Sequence, residues 1–233
     1  MMNFLAHLHL AGVRVGGDTS GDGAGVPWQM PCGLTLVGNL LPDLVRGRYR
    51  KEMPDAMAAG YRRHVCVDAW TDVSQGFLRG RARIRDHLLG ETRRFSGVAV
   101  DVVFDHCLAL SWSRWCPLPL PDFEAEVYRR IRWALESVPA VVPHAVASTL
   151  RQFAAEGWLR AYTSEAGLTD TLERMSRRYS RRFDRAIDLA PVMDAFRQER
   201  LALRSLFAML YENLIGRLVA AEDGPAAAVK PSA

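Results

Sequence analysis

The sequence predicts an all-α protein, a single-domain multi-helix bundle. Three observations carry that prediction. Apolar residues recur at helical spacing in the long segments, as at Met57, Tyr61, Val65 and Ala69. No run alternates apolar and polar residues as a half-buried strand would, and no internal repeat is present. A length of 233 residues, with 49% hydrophobic and 24% charged, supplies one sizeable core and excludes a disordered or fibrous chain. Residues 1–222 are therefore expected to form one helical domain.

The elements follow in order. MMNFLAHLHLAGV is apolar but lacks a basic leader and contains two histidines, so it reads as structure and not as a signal peptide. The Gly, Asp and Pro content of the next stretch predicts a flexible loop at 12–32. GLTLVGNLLPDLVRG reads as a short apolar helix broken at Pro42, which leaves Asp43 at a helix junction. A helix is expected from Pro54 to Ser74, then a second over 76–95 with arginines at 79, 81, 83, 85, 93 and 94. The third, over 97–115, is the most apolar. PLPLP at 117–121 forms a rigid connector, with Asp122 as N-cap of a helix over 123–137. Further helices are expected at 143–156, 164–180 and 191–221. In the last of these, Phe196, Leu203, Phe207, Leu210, Leu214 and Leu218 form an apolar stripe. The tail at 223–233 has little to bury and is expected to be disordered.

Several function classes are excluded or weakened. No apolar run reaches the length of a membrane span. The four cysteines, Cys32, Cys66, Cys107 and Cys116, show no CxxC spacing, which suits reduced thiols in a cytoplasmic protein. P-loop, GxSxG and HExxH motifs are absent. The formal charge of +4 is almost all arginine, only Lys51 and Lys230 being lysines. A basic surface favours an anionic partner. Arginine and aromatic residues interleave in YRRIRW and RRYSRRF, as they do on many packed helix surfaces, so no nucleic-acid partner is expected.

The polar groups in apolar helices need a reason. AVDVVFDHCLAL, residues 99–110, places Asp101, Asp105 and His106 in the most apolar helix, where an unpaired carboxylate costs several kcal/mol. In RRHVCVDAWTD, His64, Asp68 and Asp72 fall four apart on one helix face. Two such helices packed antiparallel would bring His64, Asp68, Asp105 and His106 together. A mixed imidazole and carboxylate set without thiolate suits Mn, Fe, Zn or Co. The plainer readings are that His64 and Asp68 pair with Arg62 and Arg63, that Asp101 favours a helix N-terminus, and that His7 and His9 are ordinary partly buried histidines.

MNFLAHLHLA at 2–11, GNLLPDLVRG at 38–47, the His64-to-Asp72 run and DVVFDH at 101–106 resemble the acyl-carrier-protein phosphodiesterase family, also called acyl-carrier-protein hydrolase. The resemblance extends more weakly into EGWLRAY and MSRR. It implies a helical, HD-like phosphohydrolase dependent on a divalent cation, typically Mn2+. The reaction it implies converts holo-acyl carrier protein, a small acidic protein, to the apo form and 4′-phosphopantetheine. It also implies site residues: Asp43, His64 and Asp68 as catalytic, Asn39, Arg46 and Arg48 as substrate-binding, and His7, His64, Asp68, Asp105 and His106 as metal ligands. The HD order itself is absent, because Asp105 precedes His106. An Arg-rich face over 76–95, with Arg46 and Arg48, would steer the acidic partner. Two other readings remain: an HD-like hydrolase of a nucleotide or other small phosphodiester, and a non-enzymatic helical module that binds an acidic protein.

Overall fold

The computed structural model describes residues 4–14, 26–45, 49 and 52–220. Arg46, Arg48, the middle of the 12–32 loop and the 223–233 tail lie outside the described residues. Helices α1 (Phe4–Leu10), α2 (Gly33–Leu44), α3 (Asp55–Asp72) and α4 (Gln75–His87) are followed by α5 (Ser96–Leu110) and α6 (Leu120–Ser137). The chain continues through α7 (His144–Glu156), α8 (Glu165–Phe183) and α9 (Pro191–Ala220). Among the described residues the only extended pairing is an isolated bridge between Val13 and Trp28. The all-α prediction holds.

Four local expectations change. Pro42 lies inside α2, which runs to Leu44, so Asp43 sits in its last turn and not at a junction. A proline near a helix end forfeits a single backbone bond, and the Val45 N–H still closes onto the Leu41 carbonyl. The segment 76–95 is two elements: α4 stops at His87, and a 3-10 turn over Gly90–Phe95 follows. Gly90 has φ of +49°, which turns the chain where an L side chain would be strained. Asp122 lies within the first turn of α6, whose cap position is Pro119, and there it still favours the positive end of the helix. The described ends of the 12–32 loop are packed: Val13 is 2% exposed, and the Trp28 indole N–H donates to the His9 carbonyl.

The α2–α3 pair is the frame on which the site is built. These helices cross at backbone contact, since a Cβ on Gly38 would lie 1.9 Å from the Met57 carbonyl oxygen. A Cβ on Gly60 would lie 2.1 Å from that of Thr35. The crossing brings the last turn of α2, with Asp43, beside the middle of α3, with His64. α9 carries the expected stripe, with Phe196, Leu203, Phe207, Leu210, Leu214 and Leu218 all buried, and packs on α4 and α5.

Candidate active site

α1 is seven residues long, too short to be stable as an isolated helix, and side chains from elsewhere hold both of its ends. At the N-terminus the Leu5 and Ala6 backbone N–H groups donate to the two carboxylate oxygens of Asp105, at 3.0 and 2.9 Å. At the C-terminus the Arg63 guanidinium donates to the Leu10 carbonyl at 3.0 Å and to that of Val13 at 2.5 Å. An acceptor group at the positive end and a cation at the negative end complement the helix dipole.

Positions two apart on a helix point about 200° away from each other, so His7 and His9 face different surroundings. His9 faces the body of the protein: Nε2 is 3.0 Å from the Trp115 carbonyl and Nδ1 is 2.8 Å from the Tyr211 hydroxyl. A carbonyl only accepts, so Nε2 carries the proton and Nδ1 accepts from Tyr211. Burial lowers the His9 pKa to about 4, and the ring is neutral.

His7 faces α3. Its ring stacks on that of His64, with centroids 3.8 Å apart and planes 12° apart. His7 Nε2 lies 3.1 Å from Asp68 Oδ1, and His64 Nε2 lies 3.2 Å from Asp68 Oδ2 and 3.7 Å from Asp43 Oδ1. Despite these distances, none of the four imidazole nitrogens is aligned for a hydrogen bond. Both rings are fully buried, whereas the Asp68 side chain is 23% exposed, so the cluster opens to solvent on that side. Burial lowers the His7 pKa, helped by His64 and opposed by Asp68, which leaves a neutral ring with a lone pair to offer. Burial alone would raise the Asp68 carboxyl, but His64 and His7 outweigh it and hold it below the ordinary carboxylate range. His7, His64 and Asp68 each offer a donor atom within 4.8 Å of the others. Two buried imidazoles and one carboxylate match the nitrogen and oxygen ligands of a divalent transition metal, so this donor set fits such an ion.

The remaining sequence candidates lie elsewhere. Asp105 and His106 do not join the cluster. α1 packs against both α2 and α5, and an α3–α5 face is not one of the main helix contacts among the described residues. Both Asp105 oxygens are committed to the α1 N-terminus, although burial lifts its pKa to about 8 against those bonds. His106, about 100° round the helix, donates from Nδ1 to the Tyr162 carbonyl at 2.7 Å and lies edge-on to Phe196. Asn39 is 1% exposed and donates to the Gly60 carbonyl at 3.3 Å, a brace across the α2–α3 crossing. Asp72 is exposed, and Asp101 is buried in the second turn of α5, past the helix start expected for it. The role of Arg63 as a clamp on α1 went unseen in the sequence, because nothing local distinguishes it from Arg62.

Fold and site together define an all-helical protein with a buried, thiolate-free His/Asp cluster suited to a metal ion. The chain belongs to the acyl carrier protein phosphodiesterase family, whose description residues 31–214 match. It is 32% identical over 215 residues to the acyl carrier protein phosphodiesterase of Yersinia pestis, covering 92% of this chain and 96% of that protein. The protein of the same name from Photorhabdus laumondii is 32% identical over 182 residues, covering 77% and 78% of the two chains. That of Pectobacterium atrosepticum is 33% identical over 176 residues, covering 75% and 78%. No solved structure matches the chain. Among the described residues, no helix is long and apolar enough to cross a membrane.

Proposed function

We propose that this protein is a divalent-metal-dependent phosphodiesterase that hydrolyses holo-acyl carrier protein to apo-acyl carrier protein and 4′-phosphopantetheine. The observation that carries the reading is the His7–His64–Asp68 cluster, with its unbonded imidazole nitrogens, in a chain of this family. Those three residues would hold the ion, with Mn2+ the expected metal. Bound there, a divalent cation supplies positive charge to the phosphodiester oxygens and lowers the pKa of water.

Asp43 is the carboxylate left once Asp68 is assigned to the metal, and it lies beside His64 with a side chain only 4% exposed. We assign it the proton transfer between attacking water and leaving oxygen. Asp105 acts at one remove: by fixing the α1 N-terminus it sets the position of His7. Arg63 does the same from the other end. Four free cysteines, three of them buried, suit the reducing cytoplasm, where this substrate would be met. The test is incubation of the purified protein with Mn2+ and holo-acyl carrier protein, followed by intact-mass measurement. Loss of the phosphopantetheine mass, leaving a free serine, is expected. An unchanged mass under all divalent metals overturns the assignment.

A further inference from the structure

Of the 30 lysines and arginines in the chain, six fall within residues 174–185, at Arg174, Arg177, Arg178, Arg181, Arg182 and Arg185, against one acid, Asp184. A genomic preference for arginine over lysine does not explain such a cluster. Arg181 and Arg182 lie in the last turn of α8, where cations favour the helix dipole, but Arg174, Arg177 and Arg178 lie further back. Arg174, Arg177, Arg178 and Arg181 follow the i, i+3, i+4, i+7 spacing of one helix face, a stripe about 10 Å long.

These four arginines rim a pocket of about 340 Å³, whose floor includes Phe4, Trp158 and Met175. Phe4 is one turn before His7, so α1 contributes a residue both to this pocket and to the His/Asp cluster. Within the stripe, Arg177 pairs with Glu173 at 3.4 Å where both are exposed to solvent, and Arg174 donates to the Thr171 hydroxyl. On α4, by contrast, Arg83 is already paired with Glu199 of α9.

We infer that the α8 arginine stripe, not the arginine face of α4, is where an acidic helix of the protein substrate docks. This rests on the function proposed above. Carboxylates one turn apart on a partner helix are spaced about 5.4 Å, which matches the guanidinium rows along α8. The aromatic floor beneath offers apolar contact beside the reaction site. Charge complementarity of this kind acts on encounter and affinity, and leaves the chemical step alone.

The test compares Arg174→Gln/Arg177→Gln and Arg174→Glu/Arg177→Glu with an α4 control, Arg79→Glu/Arg85→Glu. Apo-acyl carrier protein is titrated by fluorescence anisotropy, and holo-acyl carrier protein and bis(p-nitrophenyl) phosphate are assayed for turnover. In the α8 variants, Kd and KM for the carrier protein should rise about tenfold or more, graded from Gln to Glu, with kcat within about twofold. Their turnover of the small diester should match wild type, and raising salt from about 0.05 to about 0.2 M should weaken wild-type binding more than theirs. Wild-type Kd and KM in the Glu variant overturn the docking site while leaving the function standing. Equal losses in the α4 control overturn its specificity, and parallel loss on the small diester would mean that α8 supports the site structurally. Failure of the wild-type protein to act on holo-acyl carrier protein removes the function and this inference together.

Discussion

Two sets of buried histidine and aspartate occupy this protein, and they use their polar atoms differently. On α5, Asp105 gives both oxygens to backbone N–H groups, and His106 gives one nitrogen to a backbone carbonyl. Between α1 and α3, His7 and His64 are equally buried, yet no imidazole nitrogen of either makes a hydrogen bond. A fold stabilises its buried polar groups by pairing them, and a buried group left without a hydrogen bond costs on the order of 1–3 kcal/mol. The Asp105 carboxyl is placed like structure. The α1–α3 cluster is placed like a set of donors for a metal ion.

Substitutions can break that contrast. The largest effect is expected at His64: His64→Ala should lose on the order of a thousandfold in turnover and its calorimetric Mn2+ binding, while circular dichroism stays helical. Retained metal affinity would move the ion elsewhere.

His9 sharpens the contrast from within α1. Its folded pKa, about 4, lies below the 6.5 of the unfolded chain. The unfolded state therefore binds more protons in that interval, so stability present above pH 6.5 is lost as pH falls toward 4. The loss attributable to this ring is about 3 kcal/mol, and urea titrations of metal-free His9→Gln should show a correspondingly shallower acid slope.

Asp43→Asn should lower turnover about a hundredfold and leave the protein folded. A carboxylate in the last turn of α2 opposes the helix dipole, so the variant should also gain up to about 1 kcal/mol in denaturant titration. Normal turnover would take Asp43 out of the chemistry.

The smallest change is expected at Asp105. Asn presents a single acceptor where two N–H groups converge, so Asp105→Asn should lose about 1–3 kcal/mol of stability with only a partial loss of Mn2+ affinity. Full loss of metal at unchanged stability would reverse the contrast and make Asp105 a ligand.

The helices were legible because their apolar spacing is local: α3, α7 and α9 start and stop within a few residues of the expected bounds. The break after α4 was not, since a glycine in a helical pattern does not announce its φ. Within the site, His64 and Asp68 were legible from their spacing of four, and His7 and Asp43 only through the family resemblance. The grouping of Asp105 and His106 with them failed for a tertiary reason. Helical periodicity gives the face a residue occupies, and says nothing about which helix packs against that face.

The clamping of α1 also bears on the order in which the protein becomes competent. His7, Asp43, His64 and Asp68 all belong to the first third of the chain, yet a short helix from that third is secured by Asp105 and, through His9, by Tyr211, which lies 202 positions downstream. Closing so long a loop comes late in folding, and synthesis from the N-terminus delays it further. A nascent chain halted before α9 would hold every candidate ligand, with α1 tied by Asp105 and Arg63 but without the Tyr211 hydroxyl that bonds His9. The C-terminal helix thus adds the last of the contacts that hold the helix carrying His7, and that contact spans most of the chain.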